Sequence, residues 1–176
     1  MGSRLADDGR ASHLARGLRL PSLALSSTVG NATDLSRLPG RSVIFCYPWT
    51  GRPGLPNPPN WDNIAGAHGS TPQAAGFRDR HAEFLQRGAK VFGLSTQDTP
   101  YQSELARRLD LPFGLLSDVD FVFQRALRMP VFVTGGITYL TRLTLIVREG
   151  AIEEVLYPVD PPEASATATL ARLENL

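Results

Sequence analysis

RSVIFCYP, residues 41–48, is the stretch on which the fold turns: β-branched and aromatic side chains with little alternation, closed by a proline. A strand with one wet face would alternate, so this run reads as a central strand buried on both faces. The next segment cannot continue as helix or ladder. WTGRPGLPNPPNWDNIAGAHG, residues 49–69, crowds Pro53, Pro56, Pro58 and Pro59 together, and each proline fixes φ and removes an amide donor. It reads as a long surface loop, a kind of segment that in compact domains often carries function. Ser70-Thr71-Pro72 then has the chemistry of a helix start: a hydroxyl able to cap, followed by a proline whose missing amide proton costs nothing there.

Working outward, the helix is expected from Ser70 to Arg87, with Ala74, Phe77, His81, Phe84 and Leu85 as its buried stripe and Gly88 as its stop. AKVFGLS, residues 89–95, is a second buried strand. Thr99-Pro100 opens a helix to about Leu109, Leu111 to Leu116 reads as a short strand, and Asp118 is placed to cap a helix through Ala126. The rhythm then changes: Arg142 to Val147 and Ala151 to Tyr157 form a hairpin through Glu149-Gly150, and a last helix runs from Pro161 to near Leu173. Upstream, LRLPSLAL at 18–25 suggests an edge strand and Asp34 to Leu38 a single turn. Residues 1–17 read as a polar arm, loose or briefly helical, leaving 18–176 as one domain. Parallel strands, a hairpin and a final helix describe an α/β fold, a central mixed β-sheet flanked by helices.

Bulk properties narrow the function classes. The chain has 176 residues, a hydrophobic fraction of 42% and a net charge of +1. No apolar run approaches the roughly 18 residues of a membrane span, and no basic field would draw nucleic acid. The first twenty residues lack a continuous apolar core and include Asp7 and Asp8, so a cytoplasmic protein is expected. The single cysteine, Cys46, excludes an intramolecular disulfide and a zinc site built on several thiolates, and three dispersed histidines show no metal-binding pattern. No cofactor is expected.

Three stretches carry a family resemblance. SVIFCYP is similar to the peroxiredoxin strand that delivers the chain to the active-site loop. GSTPQAAGFRD resembles the start of the first active-site helix, which in peroxiredoxin Q members reads approximately GCTxExCxFRD; Phe77-Arg78-Asp79 sets the register. RLTLIV before Glu149-Gly150 is similar to the R-x-T-F-V-I segment that brings an arginine to the peroxide site, with AKVFGLSTQD and LPFGLLSD in support. The resemblance spans roughly residues 18–157. It implies a thioredoxin-like fold, thiol-dependent reduction of hydrogen peroxide or alkyl hydroperoxides, and electrons from thioredoxin or a similar donor; homodimers are common in the family.

Carried over by position, Ser70 falls on the peroxidatic cysteine of the peroxiredoxin Q and bacterioferritin comigratory type. Ala75 falls on the resolving cysteine, Arg142 on the arginine and Pro48 on the shielding proline. The family's threonine lands on Ala67, and an insertion stretches the usual spacing, which puts Thr50 or His68 forward as substitutes. Trp49 and Thr71, with Trp61 and Tyr47, are candidates to line a pocket beneath the loop.

A family cysteine attacks peroxide as a thiolate and leaves as a sulfenic acid. A serine hydroxyl ionises so far above neutrality that this route is expected to be closed. Ser-for-Cys is the isosteric laboratory choice, while the missing threonine and the insertion point to divergence of the gene; both origins fit the residues. Other readings stand beside the peroxidase: a non-redox enzyme or binder of a small polar ligand using His68, Ser70 and Arg142, or an interaction protein without chemistry. Ser70 also has helix capping as a plain role, His68 with Asp62 a conceivable catalytic set with Ser70, and Cys46 a small buried hydrophobe. Arg142, entering a buried strand, needs an anion, a carboxylate such as Asp79 or Glu83, or a ligand.

Overall fold

A computed structural model describes residues 4–176. Eight strands and five α-helices are described: β1 (Ser26–Ser27), β2 (Arg41–Cys46), α1 (Ser70–Asp79), α2 (His81–Gln86), β3 (Ala89–Ser95), α3 (Thr99–Arg108), β4 (Leu115–Ser117), α4 (Val122–Leu127), β5 (Val131–Thr134), β6 (Ile137–Leu140), β7 (Leu143–Arg148), β8 (Ala151–Leu156) and α5 (Ser165–Leu173). Six strands form one mixed sheet in the order β1-β4-β3-β2-β7-β8, and β5-β6 is a separate hairpin.

The RSVIFCY run sits where its composition places it. β2 pairs parallel with β3 and antiparallel with β7, Cys46 lying opposite Leu94 on one side and Leu143 on the other. Alternate residues feed two cores. Val43, Phe45 and Tyr47 face Phe77 of α1, Leu105 of α3 and Leu170 of α5. Ile44 and Cys46 face Leu14, Leu25, Phe123 and Leu127. Phe45 stacks on Phe77 with ring centroids 4.5 Å apart, each ring contributing about 1.5–3 kcal/mol by burial alone. That contact holds α1, and so Ser70, against the sheet.

Several elements depart from the sequence reading. The helix expected over 70–87 breaks at Arg80, whose backbone leaves the helical region (φ −109°, ψ 13°) while its guanidinium grips Glu83 and the Thr167 hydroxyl. The break resets the helical phase: Phe84 is buried, but Leu85 is 54% exposed. LRLPSLAL makes only isolated bridges, at Arg19 and Leu25. Its amides exchange bonds with residues 150–152 at one end before Pro21, which has no amide to offer, and the short edge strand forms later, at β1. The expected strand at 111–116 is confined to β4, because the Leu111 amide is spent on Ala106 at the end of α3. Residues 4–17 form turns, with Ala11 and Leu14 buried; residues 1–3 lie outside the described residues.

The β5–β6 hairpin, VFVT-GG-ITYL, was not assigned from the sequence. Gly135 and Gly136 both have positive φ (57° and 76°), as a two-residue hairpin turn requires. The hairpin anchors the proline-rich loop: Thr134 Oγ1 donates to the Pro59 carbonyl at 2.6 Å, and Phe132 and Tyr139 pack on Trp61 with centroids 5.7 and 5.2 Å away.

Candidate active site

The site is built where the loop enters α1. Gly69 occupies the N-cap with φ 105°, and a Cβ there would meet Pro162 at 2.7 Å, so both backbone angle and space demand glycine. Ser70 is therefore the first helical residue, and the N-cap position that a capping hydroxyl would need belongs to Gly69. The hydroxyl instead accepts from Arg142 Nη2 at 3.0 Å.

Arg142 lies between β6 and β7 and is 3% exposed. Its Nη2 also faces the carbonyls of Gly66, Ala67 and His68 at 3.2–3.3 Å, and Nη1 donates to Gln73 Oε1 at 2.5 Å. Burial lowers its pKa to about 10, which leaves it charged at neutral pH. Neither acid anticipated from the sequence reaches it: Asp79 pairs with Arg78 and Glu83 with Arg80. Among the described residues Arg142 has no carboxylate within salt-bridge reach, so dipoles alone balance its charge.

Gln73 was not singled out in the sequence. It is fully buried, accepts from Arg142 and donates through Nε2 to Ser165 Oγ at 3.1 Å, tying the site to α5. Its spacing three residues from Ser70 puts both on one helix face, which is the signal that was available. In the peroxiredoxin Q pattern GCTxExCxFRD, this position is a glutamate.

A cleft of about 220 Å³ opens over the hydroxyl, lined among others by Trp49, Thr50, His68, Ser70 and Thr71. Thr50 is buried and fixed by Gln97 and by the Tyr101 hydroxyl, which donates to its carbonyl at 2.7 Å. Trp49 meets Trp61 edge-on at 5.5 Å. Pro48 is buried at the strand end, and Ala75 is half-buried one turn beyond Ser70. Tyr47 belongs to the core and does not line the cleft.

His68 contributes its carbonyl to Arg142, while its ring pairs with Asp62 at 2.6 Å. Among the described residues no hydrogen bond joins that ring to the Ser70 hydroxyl, so the serine, histidine and acid do not form a relay. Cys46 is fully buried on the sheet face opposite α1, and burial pushes its thiol far above the usual range. It is no substitute nucleophile.

The Redoxin family model matches residues 15–171. The chain belongs to the redoxin family. Among sequence relatives, the chloroplastic peroxiredoxin Q of japonica rice (Oryza sativa) is 28% identical over 165 residues, covering 93% of this chain and 68% of the relative. That of Populus jackii is 28% identical over 163 residues, covering 92% and 68%. Among solved structures, the peroxidoxin BcpB of Mycobacterium tuberculosis superposes with a TM-score of 0.74 at 23% identity, covering 93% of this chain and 99% of that one. The bacterioferritin comigratory protein of Xanthomonas campestris does so with 0.72 at 25%, covering 92% and 98%. This redoxin is thus peroxiredoxin-like, of the peroxiredoxin Q and bacterioferritin comigratory type, with a thioredoxin-type mixed sheet and a single cysteine placed away from the head of α1. No helix among the described residues is long and apolar enough to cross a membrane.

Proposed function

We propose that Ser70 occupies the peroxide-reducing position and that the chain keeps the binding half of a peroxiredoxin site without its reducing half. The observation that carries this is the Ser70 hydroxyl at the head of α1, held 3.0 Å from a buried, carboxylate-free Arg142. A helix N-terminus and a guanidinium together favour a small polar or anionic group beside the hydroxyl. A thiolate in that field would attack the peroxide O–O bond and become a sulfenic acid, releasing water or an alcohol. A serine supplies neither the ionised nucleophile nor the sulfur that is oxidised. Ala75 offers no resolving thiol, so a thioredoxin-like donor would find no disulfide to reduce. Hydroperoxides are accordingly ligands here and not substrates, with Pro48, Trp49, Thr50 and Thr71 shaping the space beside them and His68 at its rim.

Peroxide consumption by the unmodified chain, Ser70→Cys, and Ser70→Cys with Ala75→Cys is the test. The expected result is no turnover by the unmodified chain, turnover with dithiothreitol by the single variant, and thioredoxin-coupled turnover by the double variant. Turnover by the unmodified chain, or none by either variant, overturns the reading.

A further inference from the structure

The proline-rich loop, residues 49–69, stands on two feet that belong to different parts of the fold. At one end Gln97 holds Thr50, the Tyr101 hydroxyl donates to the Thr50 carbonyl, and the Arg52 guanidinium lies 4.1 Å over the Tyr101 ring. Arg108 Nη2 adds a bond to the Gly51 carbonyl at 3.0 Å. These partners come from α3 and the turn before it. At the other end Pro59 and Trp61 are fixed on the β5–β6 hairpin. A segment tied at both ends to separate elements is a fixed roof, where a lid would need a free end to swing. Trp49 is pinned within it. Its ring meets Trp61 edge-on and fills the space over Gly51, where a Cβ would meet it at 3.3 Å. A wall packed this closely yields little to a larger guest.

We infer that this roof sets a size limit on the cleft over Ser70, with Trp49 as the specificity-determining residue: hydroperoxides with a compact alkyl group enter, and those carrying an aromatic ring on the same carbon are turned away. The inference rests on the reading of that cleft as a hydroperoxide site and adds which members of the class it takes. A head group beside Ser70 leaves its organic part against Trp49, Asn57 and Trp61, the walls that the loop supplies. The whole cleft, about 220 Å³, is below the range of about 300–1,000 Å³ usual for drug-sized ligands, and its head-group end is already claimed by the peroxide oxygens.

The test uses the unmodified chain, in which hydroperoxides bind without being consumed. Two ligands share one head group: tert-butyl hydroperoxide, and cumene hydroperoxide, in which a phenyl ring replaces one methyl. Binding is followed by the NMR shifts of the Trp49 and Trp61 indole N–H groups. The smaller ligand is expected to give saturable shifts, and the larger to bind at least about tenfold more weakly. Trp49→Ala, with Trp61 as the remaining reporter, should cut that preference to about twofold or less. Tyr101→Phe keeps Trp49 and releases one foot of the roof, and should narrow the preference partway. Equal binding of the two ligands by the unmodified chain, or a preference unchanged in both variants, overturns the size limit and leaves the hydroperoxide reading standing. Binding of neither ligand overturns the hydroperoxide reading and the size limit with it.

Discussion

Arg142 Nη2 donates to the Ser70 hydroxyl across 3.0 Å, with both side chains 3% exposed. The same nitrogen faces three loop carbonyls, so the hydroxyl is one acceptor among several. Ser70→Ala should therefore cost only about 1 kcal/mol. Arg142→Met, which strands the loop carbonyls and Gln73, should cost about 3 kcal/mol or more. Urea unfolding followed by tryptophan fluorescence separates the two; equal losses would mean that Arg142 does not clamp the loop.

A cysteine introduced by Ser70→Cys would sit at the helix head beside a guanidinium that dipoles alone balance. Its thiol should ionise about two units or more below the ordinary value of about 8.5. The pH profile of its alkylation by iodoacetamide reads this directly, and an inflection at or above 8.5 would show that the Arg142 field does not reach the sulfur.

Gln73→Glu would place a carboxylate where an amide now accepts from Arg142. In the Ser70→Cys background the added negative charge should offset the guanidinium and, as a like charge near the thiolate, raise the thiol pKa by roughly one unit. The alkylation profiles of the two chains, compared side by side, give the sign. A lower value in the Glu variant would contradict a site in which dipoles alone balance the guanidinium.

Cys46 should behave as core. Its thiol is inaccessible and its ionisation suppressed by burial, so modification by a disulfide reagent should proceed only as fast as the chain opens. Labelling rates should rise in parallel with the unfolded fraction across a urea series. Rapid labelling under native conditions would place the thiol nearer the surface than the β2 register does.

Acid stability should depend on the pair formed by Arg41 of β2 and Glu153 of β8, 2.7 Å apart across β7. The Arg41 hydrogen bonds hold the Glu153 carboxyl below its ordinary 4.5. A depressed folded value means that the pair stabilises the fold above the unfolded pKa and that the contribution is lost as pH falls through the folded one. Glu153→Gln should accordingly lower the melting temperature at pH 7 and narrow the gap to the unmodified chain below pH 4. A gap that widens on acidification would have the wrong sign.

RSVIFCYP carried the centre of the fold because a strand buried on both faces leaves its mark in composition, and the Gly69 to Asp79 motif placed Ser70 and the helix because capping and register are local matters. Arg142 was legible as a buried cation for the same reason: its own strand is apolar. Its partners were not. That a guanidinium should be met by Gln73 and the carbonyls of 66–68, and not by Asp79 or Glu83, depends on how α1 lies on β7, a long-range packing that no local pattern encodes. Likewise, nothing in the spacing of Asp62, His68 and Ser70 showed that the first two would pair with each other and leave the serine to the arginine. The sequence by itself determined the strand, the helix start and the absence of a thiol at its head. Tertiary structure alone decided which side chains face one another, because hydrogen-bond partners at separations of about seventy residues are chosen by packing geometry and not by neighbours in the chain.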